Sequence, residues 1–515
     1  MAAPTVESSE RPPPAVRRLT SLASVLAPPL LIVLGMAVAT HSVVRYKLWI
    51  VAVYTVLAVV LAVWVARERP APPAAQAEPG PASPPGSGAS PVLTSTIIPP
   101  GESAPETNRA GILIWALTGA FVLVAVLQLT VRPYTYLTMS EGWLVRWVYA
   151  ISAVLVALAL LGSVLLHRRR LADLGLAVAV IGYLIAAVLL IHLDAAPKID
   201  VWVMLQQTAD GILHGKDMYT QNWHDSPGVQ DAFTYLPFTG LLLAPGRWLA
   251  GDVRWSLVVI TLLGALAVRL LARSGRDRES GPNPAVLAAT GYAALLLLLP
   301  GTATQVEQAW TEPLLMACLA GWALGVQRKN TLLAVVCLAL GVASKQHLIV
   351  LLPVLAAWPQ FGLRKAVYTG SLAFAFVLPW IIASPKDIWH DAVTVLVNFQ
   401  PLIFADTLYI AAVNSAHWTP PFWLTGAAVL ITLGGAVVQV HRRNPDLAVV
   451  LRWGALFLFV ANLVNKQAFY NQYWLVAALV VISLAVPRGG GLEGPAGETE
   501  VSDREPAPRP ATAAT

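Results

Sequence analysis

Apolar runs broken by short polar stretches fill this chain almost from end to end. A helix needs about 20 apolar residues to cross about 30 Å of hydrocarbon at 1.5 Å per residue. Runs of that kind lie near 22–40, 47–66, 110–131, 144–166, 171–193, 254–272, 284–299, 312–327, 331–344, 347–360, 366–383, 419–440, 446–464 and 471–486. The pattern predicts an all-α polytopic transmembrane bundle of about 14 spans. The run at 284–299 and the pair flanking Lys345 are short, which predicts tilted or buried helices inside the bundle. The stretch 233–250 carries Pro237, Pro245 and several glycines, so it is expected to be re-entrant or interfacial.

The polar stretches divide the chain. Residues 1–21 are expected to be a disordered cytoplasmic tail, 22–66 an N-terminal transmembrane pair and 67–109 a disordered Pro/Ala-rich linker. Residues 110–486 form the main transmembrane domain, with an extracytoplasmic loop at 194–233, and 487–515 a disordered C-terminal tail. Composition agrees: 57% of the 515 residues are hydrophobic and 12% charged, against about 25% charged in a soluble domain. A water-soluble fold is thereby excluded. Cys318 and Cys337 lie in apolar runs and read as packing residues. No cleavable signal peptide and no internal repeat is apparent, and no basic stripe with interleaved aromatics suggests nucleic acid as a partner.

The net charge of +6 reports orientation. Arg17 and Arg18, Arg67 with Arg69, His167 to Arg170, Arg273 with Arg276 and Arg278, Arg328 with Lys329, Arg364 with Lys365, and Arg442 with Arg443 can all be cytoplasmic together. That holds if 233–250 does not cross. Arg45 to Lys47 and Arg132 break the rule mildly. With this orientation the loops that are not basic open on the extracytoplasmic face of a multi-pass cell-membrane protein. The longest, 194–233, holds Asp194, Asp200, Asp210, Asp217, Asp225 and Asp231. Its run from Asp200 to Leu213 has apolar residues near helical spacing, which predicts an interface-lying helix with Asp200 at its start.

An Asp just beyond a span, an apolar helix, Gly215 with Tyr219, and the entry Tyr235-Leu236-Pro237 form a pattern. It resembles bacterial GT-C class glycosyltransferases, nearest the polyprenyl-phosphate-mannose-dependent α-mannosyltransferases. The resemblance runs from about residue 185 to 484 and leaves the first four spans unexplained. It implies a polyprenyl-phosphate sugar donor, mannose foremost, a lipid or glycan acceptor, no cofactor and an inverting single displacement. It also implies an acidic general base in the first large extracytoplasmic loop, and Asp200 occupies the matching place. Such a carboxylate takes the proton of the acceptor hydroxyl as it attacks the anomeric carbon. An Asp at a helix start also caps backbone N–H groups, a role compatible with catalysis. Asp194, Asp210 and Asp217 are expected to be solvated loop residues.

Gln305, Glu307 and Gln308 fall in a loop on the same face, where several enzymes of the class orient sugar hydroxyls; an ordinary polar connection is the other reading. Lys345, Gln346 and His347 interrupt two apolar runs, and Lys466 with Gln467 repeats the Lys-Gln pair on the same face. Cations placed there call for an anion, and a lipid phosphate supplies one. Lys345, His347 and Lys466 are therefore candidate donor-phosphate ligands, with snorkelling to headgroups as the alternative for the lysines. Tyr219, His224, Tyr235, Gln305, Glu307, Gln346, Gln467 and Tyr470 are candidate sugar or acceptor contacts, although aromatics at this depth are common belt residues. The loop 384–419, with Asp387, His390, Asp391, Asp406 and His417, is an expected acceptor lid and offers no convincing metal set. The chain lacks a P-loop, a Rossmann glycine fingerprint and an HExxH helix. Two other readings stay open: a transporter or flippase of an anionic lipid-linked substrate, and a noncatalytic membrane scaffold.

Overall fold

A computed structural model describes residues 14–41, 45–68, 104–131, 135–272 and 284–487, with side chains from 26 and 111 onward in the first and third segments. The expectations for 1–13, 69–103 and 488–515, for the side chains of Arg17 and Arg18, and for Arg69, Arg132, Arg273, Arg276 and Arg278 lie outside what is described, whereas 14–21 and 104–109, expected to be disordered, are helical and open the first and third helices. The described residues form helices and no strand. The N-terminal pair is α1 (Pro14–His41) and α2 (Leu48–Arg67), followed by α3 (Ala104–Thr130), α4 (Met139–Leu165) and α5 (Arg169–Leu193). Next come α6 (Asp200–Leu213), α7 (Pro237–Ala250), α8 (Arg254–Leu271), α9 (Pro284–Leu298), α10 (Thr302–Glu307), α11 (Glu312–Gln327) and α12 (Thr331–Ser344). A 3₁₀ segment, Gln346–Leu351, runs into α13 (Leu352–Ala357), then α14 (Gly362–Ala383). Three short helices, α15 (Pro385–Trp389), α16 (Val395–Asn398) and α17 (Leu408–Ala416), lead to α18 (Phe422–Arg443), α19 (Leu447–Val464) and α20 (Tyr470–Ala485).

Eight of these helices are long and apolar enough to cross a membrane, and five shorter apolar helices accompany them. The chain is thus an all-α, membrane-embedded protein. Helix α9 is apolar on every face, and each residue from Val286 to Leu298 is buried. It packs against α3, α5, α8 and α20. Helix α18, equally apolar to the eye, buries only Ala436 and Val440 and turns the rest of its surface outward.

Hydrogen bonds between helix ends define two poles. At one, Arg269 near the end of α8 pairs with Asp173 near the start of α5 at 2.8 Å, and Arg328 bonds the Leu270 carbonyl. Arg443 at the end of α18 bonds the carbonyls of Ala66 and Glu68 at the end of α2, and the Trp358 indole bonds the Pro445 carbonyl. The opposite pole gathers the ends of α5 and α12, the starts of α8 and α11, and the loops bearing α6, α7 and α10. Here Arg254 bonds the carbonyls of Ile191 and Glu307, and Lys345 pairs with Glu312.

Helix α7 begins and ends at this second pole. The Leu236 N–H and the Thr239 hydroxyl both donate to the Ser344 carbonyl, at 3.1 and 2.6 Å. Its other end meets α6, where Arg247 pairs with Asp210 and the Trp248 indole bonds the Ala209 carbonyl. Gly251, at φ 81°, then turns the chain into α8, a left-handed conformation that glycine adopts without a Cβ clash. The stretch expected to be re-entrant or interfacial therefore does not run from pole to pole.

Candidate functional site

Asp200 opens α6, at the place the spacing predicts, and is half-buried. Its Oδ1 accepts from the Val201 N–H at 2.8 Å and its Oδ2 from the Val229 N–H at 3.4 Å. Gly228 packs flat on this carboxylate, since a Cβ there would stand 2.3 Å from Oδ2. The carboxylate therefore serves as a helix-start acceptor and as the anchor of the loop after Trp223, while part of it stays open.

Tyr235, buried just before α7, lies within electrostatic reach of it. Burial, reinforced by the negative charges of Glu312 and Asp200, holds its phenol well above the ordinary value. The Lys345 ammonium lies 5.3 Å from the centre of the Tyr235 ring. Lys345 Nζ donates to Glu312 Oε1 at 2.6 Å and to the Thr311 hydroxyl at 3.2 Å. Glu312 is fully buried, and the Lys345 side chain is 14% exposed. His347 stands within electrostatic reach of both Lys345 and Glu312. The anion that an inward lysine demands is thus in place as an internal carboxylate, which the sequence reading did not single out. An ammonium has three N–H donors, so one remains beyond the two taken by Glu312 and Thr311.

A second group lies along α10. Glu307 is fully buried and accepts the Tyr136 N–H at 2.8 Å. Burial is the main force that raises its pKa to about 8, with the charge of Asp194 adding to it. Beside it the fully buried Arg254 pairs with Asp252 at 2.7 Å, and the Trp202 indole donates to the same carboxylate. Three carboxyl groups around one guanidinium cannot all be ionised cheaply, so Glu307 keeps its proton near neutrality. Asp194, expected to be solvated, is half-buried at the end of α5, and burial raises its pKa despite Arg254. The chain packs it against the α8 and α10 cluster rather than releasing it to water.

Gln305 is fully buried, and neither its amide oxygen nor its nitrogen has a hydrogen-bond partner among the described residues. Leaving such a group unmet costs about 1–3 kcal/mol. Ala309, between the two carboxylates Glu307 and Glu312, adopts φ 53°, a strained turn for a residue with a Cβ. The turn redirects the chain from α10, which packs on α5, α8 and α9, into α11. Tyr470, at the start of α20, stacks edge-on against Trp310 at 4.6 Å and feels the charges of both Glu307 and Glu312. Gly301, at φ 92°, makes room for Tyr470, whose ring would meet a Cβ there at 3.1 Å.

Other candidates are committed to the scaffold. The Tyr219 hydroxyl donates to the Tyr235 carbonyl at 2.9 Å, and its ring packs edge-on against Phe233. Gln346 bonds the carbonyls of Thr234 and Ala392. The His224 backbone is held by Gln207, and its side chain is exposed. Lys466 donates to the Val397 carbonyl at 2.7 Å, and partial burial lowers its pKa. Among the described residues no hydrogen bond or ion pair joins it to Lys345; the stretch from Ala392, held by Gln346, to Val397, held by Lys466, links the two. The Gln467 N–H bonds Asn465.

Asp210 pairs with Arg247 at the surface, and Asp217 caps the turn at Tyr219 and accepts from Ser384 at 2.6 Å. Both are engaged rather than simply solvated. In the loop 384–419, Asp391 accepts from the Phe233 N–H at 2.7 Å and from His390, so the expected lid is latched to the stretch leading to Tyr235. Asp406 accepts from the Lys47 N–H at 2.9 Å. Among the described residues no group of three His, Cys, Asp or Glu side chains is arranged to hold a metal.

The residues in contact are therefore Tyr235, Lys345 and Glu312, with Asp200, His347, Tyr470 and Glu307 within electrostatic reach of this group and Gln305 on the same short helix as Glu307. No family model, no curated protein and no solved structure matches this chain.

Proposed function

We propose that this chain is a GT-C type glycosyltransferase of about 14 spans that moves a sugar, mannose foremost, from a polyprenyl-phosphate donor to a lipid or glycan acceptor. The pole bearing Arg168 to Arg170, Arg269, Arg328, Arg364 and Arg443 is the cytoplasmic one, because cytoplasmic ends retain cations. The polar cluster then faces the other side of the cell membrane.

Asp200 takes the acceptor proton, and the acceptor oxygen attacks the anomeric carbon. The bond from that carbon to the phosphate oxygen breaks, the polyprenyl phosphate departs as the anion, and the anomeric centre inverts. Lys345, fixed in place by Glu312, turns its remaining N–H to the leaving phosphate, aided by His347 and by Lys466 from the connection before α20. Gln305 and protonated Glu307 meet sugar hydroxyls. The observation supporting this reading is that the Lys345 ammonium, braced by Glu312, lies 5.3 Å from the centre of the buried Tyr235 ring, which is within electrostatic reach of the helix-start carboxylate of Asp200.

Purified protein in nanodiscs, given polyprenyl-phosphate mannose and an envelope lipid extract, tests it. Asp200→Asn is expected to reduce transfer by at least ~100-fold at unchanged melting temperature. Transfer by Asp200→Asn at the normal rate would overturn the assignment of the base. Movement of the donor across the bilayer with no transfer by the unaltered protein would instead favour a flippase.

A further inference from the structure

The N-terminal helix pair, which the transfer chemistry does not use, encloses a cleft against α19 and α20. Its volume is about 230 Å³, and Met36, Leu57, Trp64, Phe459, Val476 and Ala477 are among its walls. The lining is apolar apart from the phenols of Tyr54 and Tyr473 and the Trp64 indole. Those two tyrosine rings lie 4.3 Å apart, tilted by 35°, at one end of the cleft, and the Tyr473 hydroxyl donates to the Asp406 carbonyl. That end belongs to the pole of the polar cluster, because Tyr470 lies one helical turn before Tyr473. Two wall residues, Leu31 and Val60, are also exposed, so the cleft opens on the lipid-facing flank of the bundle.

The length of the cleft fits one leaflet. From Tyr54 to Trp64 along α2 the wall is about 15 Å long at 1.5 Å per residue, half of an approximately 30 Å hydrocarbon core. Charge at the mouth fits an anionic head. Lys47 and His41 stand 3.2 Å apart above the tyrosine end, with Arg45 in the same short connection. Asp406 is the opposing group; it accepts from the Lys47 N–H, and burial pushes its pKa up to about 7, so it only partly offsets the charges of Lys47 and Arg45 at neutral pH.

We infer that the cleft binds one acyl chain of an anionic phospholipid from the leaflet at the site's pole, with the phosphate at Lys47 and His41. An apolar groove of this shape at bilayer depth excludes water, and a chain filling it restores the contacts that a void forfeits. The lipid then acts as a wedge between the N-terminal pair and the C-terminal pair. This holds whether or not the chain transfers sugar.

Photocrosslinking in nanodiscs tests it, using phosphatidylglycerol or phosphatidylcholine with a diazirine at mid-chain. Phosphatidylglycerol is expected to label the cleft walls on α2 and α20, about fivefold more than phosphatidylcholine does, the contribution of one lysine near an anionic head. Ala477→Trp, which fills the cleft, is expected to abolish those adducts, and Lys47→Gln to bring both lipids to the same level. Equal labelling by the two lipids in the unaltered protein would overturn the proposal, as would adducts spread evenly over exposed Val56, Val59 and Leu158. Persistence of the adducts in folded Ala477→Trp would do the same. Displacement of the phospholipid by an equimolar amount of polyprenyl phosphate would reassign the cleft to an isoprenoid chain. Should Ala477→Trp not fold, the labelling pattern and the competition on the unaltered protein still decide.

Discussion

At the scale of single residues, the cluster is governed by how few charges its burial tolerates. Lys345 and Glu312 form a nearly dry pair, so removing one partner leaves the other uncompensated. Lys345→Met is expected to destabilise the protein by about 3–5 kcal/mol, while Lys345→Met combined with Glu312→Gln recovers most of that loss. Reversible unfolding in mixed micelles measures these and Glu312→Gln alone, and a double-variant loss equal to the sum of the two single losses would show that the pair is not coupled. Glu307 gives a pH signature. Its folded pKa of about 8 lies above the unfolded value near 4.5, so the folded state binds the proton more tightly. Its contribution is fully present below about pH 4.5 and is lost as pH rises towards 8. Glu307→Gln keeps an acceptor for the Tyr136 N–H and is expected to remove this part of the decline in melting temperature between pH 5 and 8. A smaller decline owed to Asp406, held up to about 7 by burial, is expected to remain.

At the scale of elements, α6 and α7 decide where the site faces. Helix α6 announces itself through apolar spacing, and its span from Asp200 to Leu213 coincides with the run read from the sequence. Helix α7 is ambiguous in sequence because a 14-residue, largely apolar run suits either a short span or an interfacial segment. Its fate is settled by Ser344, whose carbonyl holds its start, and by Asp210, which holds Arg247 near its end. In a background free of Cys318 and Cys337, cysteines at Asp231 and Leu249 are expected to react with an impermeant maleimide from the same side of sealed vesicles. A cysteine at Lys329 is expected to react only from the other side. Labelling of Asp231 and Leu249 positions from opposite sides would mean that α7 crosses. Close packing also limits α7: a Cβ on Gly246 would stand 2.6 Å from the Ser256 nitrogen, so Gly246→Val is expected to separate α7 from α8 and lower folded yield.

At the scale of the whole molecule, the N-terminal pair is bolted to the C-terminal helices at both poles. Arg452 of α19 pairs with Glu68 beyond α2, covers the Trp64 ring at 4.3 Å and donates to Ser483 of α20. At the other pole Asp406 holds the Lys47 N–H. Glu68→Ala is expected to raise hydrogen exchange across α2 selectively, because the other fastenings of the core remain; a uniform rise across all helices would mean the pair is integral to global stability.

The apolar runs by themselves determined that this is a helical membrane protein, since run length and hydropathy are local properties that need no partner. They also placed Asp200 at a helix start, because the spacing of Val201, Leu205, Ile212 and Leu213 is written in one short stretch. Other features were decided only by tertiary structure. Whether a helix such as α9 or α18 faces protein or lipid is invisible when both environments are apolar. The choice of Glu312 as the anion of Lys345, the burial of Asp194 beside Arg254, and the diversion of Tyr219, Gln346 and Lys466 to backbone carbonyls each join residues distant in the chain. A buried charge or amide takes whichever partner the packed helices bring near it, and that proximity is a property of the assembled bundle.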